Sequence, residues 1–120
     1  MATFNKAKLS GSTDGLAIKV TGTSTAATVT VHTAVAGTTA GVFDEIWLYA
    51  NNTSTSAVKL TLEGGTATAA DGNIELTIAA EAGLVLVVPG LILQNAKVVK
   101  AFAGTADVIL LSGFVNSITA

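Results

Sequence analysis

Val58-Lys59-Leu60-Thr61-Leu62-Glu63 alternates apolar and polar side chains without a break and stops at Gly64-Gly65. Successive side chains of an extended strand point to opposite faces, so this segment has one face for a core and one for water. The same two-residue period continues outward in both directions. On the N-terminal side, Asn51 to Ser56 reads as a turn, and Phe43 to Ala50 places Ile46, Leu48 and Ala50 on one face and Trp47 and Tyr49 on the other. Before it come Val29 and Val31, alternating with Thr28, Thr30 and His32, and Leu16, Ile18 and Val20, alternating with Lys19 and Thr21. On the C-terminal side, Ile74, Leu76 and Ile78 alternate with Glu75 and Thr77, followed by Val98 to Phe102, Val108 to Leu111 and Phe114 to Ile118. The apolar run Gly83 to Leu93 reads as two strands split at Pro89-Gly90, since proline interrupts a ladder.

Thr and Val dominate these runs, and β-branched side chains suit a pleated surface. No segment carries three turns of helical periodicity. Short strands at this spacing predict an all-β fold, an antiparallel β-sandwich of about eight strands, jelly-roll-like or immunoglobulin-like. A chain of 120 residues suits a single domain. The expected division is an extended N-terminal arm over residues 1–15 and one sandwich over residues 16–120.

Composition narrows the function. Cysteine is absent, which excludes disulfides and thiolate metal sites. Arginine is absent too, and Lys6, Lys8, Lys19, Lys59, Lys97 and Lys100 are scattered, so no basic stripe exists to neutralise nucleic-acid phosphates. The run Gly83 to Leu93 is too short to span a bilayer. The polar opening Met1 to Lys6 lacks the apolar stretch of a signal peptide, so synthesis in the cytoplasm is expected. Only 12% of residues are charged, about half the usual share, and the mean hydropathy is +0.64. So little charge is unusual for a freely soluble monomer, and the expectation is a surface dressed with Thr, Ser, Asn and Gly and covered in part by another subunit.

Three segments sharpen that expectation. Leu84 to Val88 and Val108 to Leu111 are apolar on both faces, and Trp47 and Tyr49 lie opposite the core face of their strand. A two-sheet sandwich buries one face per sheet, so the second faces need a cover. The arm or a loop of the same chain could supply it; a subunit interface is the other reading, because large apolar and aromatic patches mark such surfaces. The candidate interface residues are Trp47, Tyr49, Val85, Val87 and Ile109.

Catalytic equipment is missing from the pattern. His32, the one histidine, sits on the Thr28/Thr30 face and reads as a surface or local hydrogen-bonding residue. Asp44 and Glu45 are neighbours on a strand and so point to opposite faces, which rules out a carboxylate dyad and suggests a solvated strand end. Asp71-Gly72 has the chemistry of a tight turn. Gly64-Gly65 leads into no helix and makes no phosphate cradle. No serine has a general base arranged for it, and the reading is of a protein that is not an enzyme and takes no metal or cofactor.

Four segments carry a family resemblance. Asp44-Glu45-Ile46-Trp47-Leu48-Tyr49-Ala50-Asn51-Asn52 followed by Leu60-Thr61-Leu62-Glu63-Gly64-Gly65, and then Gly83 to Asn95 and Gly113 to Thr119, resemble small structural proteins of tailed bacteriophages. The resemblance covers most of the chain from about residue 40 onward. It implies a virion component, and within that class a capsid decoration or cement protein on the outside of the head. Its partners would be copies of itself, in a closed homo-oligomer such as a trimer, and the major capsid protein. A tail- or fibre-associated module, or a sugar-binding sandwich using Trp47, Tyr49, Asn51 and Asn52, is the alternative.

Overall fold

Each alternating run forms a strand in a computed structural model, which describes residues 2–119. The strands are β1 (Thr3–Lys8), β2 (Ile18–Lys19), β3 (Val29–Thr33), β4 (Phe43–Asn52), β5 (Val58–Gly64), β6 (Asn73–Ile78), β7 (Val85–Leu93), β8 (Val98–Ala103) and β9 (Ile109–Thr119). A single 3₁₀ turn, Thr25–Ala27, is the only helical element among the described residues, so no helix there is long and apolar enough to cross a membrane.

All pairing is antiparallel. One sheet runs β1-β9-β4-β7, with β2 also on β9; the other runs β3-β8-β5-β6. The pairs nest: β5 with β6, β4 with β7, β3 with β8 and β2 with β9. That is one long hairpin, its turn between β5 and β6, wrapped so that successive strand pairs fall alternately in the two sheets. Such nesting defines a jelly roll and excludes the immunoglobulin order, in which the first and second strands share a sheet with the fourth and fifth.

The hydrophobic cluster between the inner faces is entirely aliphatic. Leu9, Ile46, Leu48, Leu60, Leu62, Ile78, Ile109 and Leu111 are its largest fully buried members, joined by Val20, Val31, Val99 and Val115. Burying one such side chain stabilises the fold by about 1.5–3 kcal/mol. The alternation in β4 is perfect: Ile46, Leu48 and Ala50 are buried, while Trp47 and Tyr49 are half-buried on the outside.

Three β-bulges shift the two-residue period elsewhere. In β3, Thr30 pairs with Lys100 and His32 with Val99, so Val31 is an extra residue, and both Val31 and His32 turn inward. In β7, Leu48 faces Val88 and Tyr49 faces Leu86, which leaves Val87 extra and lets Val87 and Val88 both enter the core. Further along, Ile46 faces Leu91 and Trp47 faces Pro89, leaving Gly90 extra. Pro89-Gly90 therefore does not split the run into two strands. A β-bulge on an edge strand accommodates a residue that cannot donate, and β7 is at the edge.

The N-terminal arm is extended, as expected, but it is part of a sheet. β1 pairs with β9 over its whole length, all six of its side chains exposed, and the chain then dives inward. Leu9 is 1% exposed, Ser12 is buried, and the Gly11 N–H donates to the Val31 carbonyl at 2.9 Å. No boundary falls at residue 15: the core begins at Leu9.

Candidate interaction face

The outer face of the β1-β9-β4-β7 sheet collects the aromatic side chains. The protein has four Phe, one Trp and one Tyr. Strand register places Phe43, Trp47 and Tyr49 of β4, Phe114 of β9 and Phe4 of β1 on this one face, through the pairs Trp47–Phe114, Phe43–Ile118 and Phe4–Ile118. Phe102, on the other sheet, is the exception. None lies in the core. Aromatic rings usually dominate core burial, so their exclusion from an otherwise well-filled interior is a property of this surface rather than an accident of packing.

The centre of the face is ordered by specific contacts. The Trp47 and Phe114 rings stack with centroids 6.1 Å apart and planes 9° from parallel. The Lys6 Nζ sits 4.2 Å from the Phe114 ring centroid, a cation–π contact. Glu45 Oε1 accepts from the Trp47 Nε1–H at 2.6 Å and from the Asn116 Nδ2–H at 3.0 Å. The Trp47 hydrogen bond, and then that from Asn116, holds the Glu45 carboxyl below the usual glutamate range. Around this centre Phe4 is 71% exposed, Ile92 54% and Leu86 45%, the last two opposite Glu45 and Tyr49 on β7.

Of the residues singled out from the sequence, Trp47 and Tyr49 are on this face. Val85 faces inward opposite Ala50, half-buried against the core. Val87, 8% exposed, and Ile109, 0% exposed, are core residues and can contact no other subunit from there. The Val87 β-bulge explains the first correction; Ile109 is on the inward parity of β9, opposite buried Asn52. Phe114, Phe43, Phe4, Lys6, Leu86 and Ile92 were not singled out. Phe43 shares the β4 parity of Trp47 and is legible from the alternation; the membership of the others depends on register between strands far apart in sequence, which no local pattern encodes.

Asp44 is also corrected, and of the two readings of His32 the hydrogen-bonding one holds and the surface one does not. Both residues are buried, and the His32 Nε2 is 2.8 Å from Asp44 Oδ2. The Ser10 backbone N–H donates to His32 Nδ1 at 3.0 Å, so the neutral ring keeps its proton on Nε2 and donates it to Asp44. The Val35 N–H adds a bond of 3.2 Å to the same carboxylate oxygen. Ser10, His32 and Asp44 carry the residue types of a hydrolase triad without its geometry. The ring lone pair is taken by an amide, and the Ser10 Oγ accepts from the Thr33 N–H at 2.7 Å. The cluster fastens the N-terminal segment, β3 and β4 to one another. Asn52 is likewise interior, its amide donating to the Ser56 and Ile78 carbonyls, and is not available to a ligand.

No family model, curated protein or solved structure matches the chain, so a functional reading stands on this face and its chemistry.

Proposed function

We propose that this protein is a structural subunit that associates with its own copies through the aromatic sheet face, in the manner of a decoration protein on the outside of a tailed-phage capsid. The observation that carries this reading is the segregation of Phe4, Phe43, Trp47, Tyr49 and Phe114 onto one outer surface of a domain whose core needs none of them. Four strands about 4.8 Å apart and about nine residues long give a face of roughly 600 Å² in projection. That is of the order of the roughly 800 Å² each partner contributes to a stable interface.

The polar groups on the face suit protein contact. Glu45, Trp47 and Asn116 already satisfy one another, so covering them strands few donors or acceptors. Lys6 reaches from the edge strand β1 over Phe114, where its positive charge is engaged with the ring. Placement on a virion rests on the sequence resemblance, and the jelly roll is compatible with it, being an architecture of both capsid and lectin domains.

Analytical ultracentrifugation tests the contact directly. A closed oligomer at micromolar concentration that Trp47→Lys converts to a folded monomer is the expected result. A wild-type monomer throughout that range would remove the basis of the reading. The virion assignment is tested separately, by looking for the protein in purified phage particles and for its gene beside head genes.

A further inference from the structure

The outer face of the second sheet holds a buried carboxylate with one oxygen unpartnered. Glu63 lies on the outward parity of β5, yet it is 2% exposed. Two segments fold over it. The 3₁₀ turn is tied down by the Ala103 N–H to the Gly22 carbonyl at 3.1 Å, and the 65–72 loop by the Gly64 N–H to the Gly72 carbonyl at 2.7 Å. Glu63 Oε2 accepts from the Thr25 hydroxyl at 2.6 Å, while Oε1 is buried without a hydrogen-bond partner. Lys100 stands directly across the ladder from Glu63 but closes no ion pair with it. Leaving a buried charged oxygen unpaired is costly, and no group of this fold meets the cost.

Two clefts converge on that side chain. The larger, about 320 Å³, is lined by Thr23, Ser24, Thr25, Asn73 and Phe102 in addition to Glu63 and Ala67. The smaller, about 170 Å³, has Lys100 and Thr66 on its walls and again shares Glu63 and Ala67. The larger is at the lower end of the range for small-molecule sites, enough for one ring-sized ligand. Its wall offers hydroxyls, an amide, an acceptor waiting for a donor, and one apolar ring. Phe102 is also the one aromatic residue that does not belong to the docking face.

We infer that this cleft binds a neutral polyhydroxylated ligand, a single sugar residue, which donates a hydroxyl to Glu63 Oε1 and lays an apolar ring face on Phe102. A neutral ligand is favoured because a hydroxyl supplies the missing donor, while Lys100, across the ladder from Glu63 on the wall of the adjoining smaller cleft, offsets the pull of the carboxylate on a cation. The inference is independent of the association proposed above, which uses the opposite sheet.

Titration of the full chain with glucose, galactose, mannose and N-acetylglucosamine, followed by amide NMR, is the test. The expected result is saturable shifts confined to residues 23–25, 63–67, 73 and 102 for at least one sugar. Glu63→Gln, which keeps an acceptor for Thr25 but loses the charge, should weaken binding about tenfold, and Phe102→Ala similarly, with the oligomeric state unchanged. Both variants are checked as folded by the dispersion of the same spectra. Absence of localised shifts with all four sugars overturns the inference, as does binding indifferent to both substitutions. Preferential binding of methylammonium also overturns it, by showing a cation site.

Discussion

At the residue scale, the buried polar cluster makes a graded set of predictions because its members contribute through different atoms. Ser10 offers His32 its backbone N–H, which any side chain retains. Ser10→Ala therefore loses only the exposed Thr33 N–H to Oγ bond, and should cost under about 1 kcal/mol in urea denaturation. His32→Ala leaves the Asp44 carboxylate buried with the Val35 amide as its remaining donor, and should cost about 3 kcal/mol. Equal losses for the two variants would refute the assignment of roles. Glu45 gives a pH prediction with a definite sign. Its folded carboxyl is held below the ordinary glutamate value, so the stabilisation is complete above about pH 4.3 and is lost as pH falls through the lower, folded value. Trp47 is the one tryptophan and donates to that carboxylate, so its fluorescence should change with a midpoint below the ordinary glutamate value. Glu45→Gln, still an acceptor for the indole, should abolish the transition. Glu75 is lowered in the same direction by Lys59, but that pair is exposed and contributes little to stability.

At the element scale, the two glycines next to Trp47 separate a strained position from a blocked one. Gly90 is the extra residue of a β7 bulge, with φ +93° and room for a Cβ only 3.4 Å from Trp47 Cζ2. Gly90→Ala should cost about 1–2 kcal/mol, mostly backbone strain, and move the indole. Gly113 of β9 faces Leu48 on β4, and a Cβ there would overlap the Trp47 carbonyl oxygen on the neighbouring strand. Gly113→Ala should cost about 4 kcal/mol or more, or prevent folding, because backbone of the central β4–β9 pair would have to part. Thermal unfolding of the two variants checks the order. These elements also mark what the sequence could reveal. The runs in β4, β5 and β6 are read correctly because nothing interrupts their period and each needs only its own residues. The failures at His32, Val87 and Pro89-Gly90 coincide with the three β-bulges, where one extra residue inverts every later face assignment. A β-bulge is settled by the partner strand, and β3 and β8 or β4 and β7 are about 40 or more residues apart. Trp47 and Tyr49 were legible as a face of one strand; Phe114, Phe4 and Glu63 became part of sites only through register and through loops folding back.

At the scale of the whole molecule, folding and association are separable, and that makes the proposed interface measurable. The accessible surface of the chain is 6080 Å², close to the roughly 5950 Å² expected for an ordinary monomer of 11.9 kDa. The aliphatic core is complete within one chain, so cover of the aromatic face by a second copy, as proposed, would add to a fold already formed. Association adds stability by mass action: for a dimer each tenfold rise in concentration above the dissociation constant contributes about 1.4 kcal/mol per dimer, or about 0.7 kcal/mol per protomer. At about 4 °C per kcal/mol for a domain of this size, the melting temperature should climb about 3 °C per decade of concentration, and somewhat more for a trimer. Phe114→Ser removes the ring that Trp47 stacks on and Lys6 covers while leaving Val115 and Leu111 in the core. Its melting temperature should be independent of concentration and should match that of dilute wild-type protein to within a few degrees. A wild-type melting temperature that is flat across three decades of concentration would mean that the exposed rings are not joined to another copy, whatever the sequence resembles.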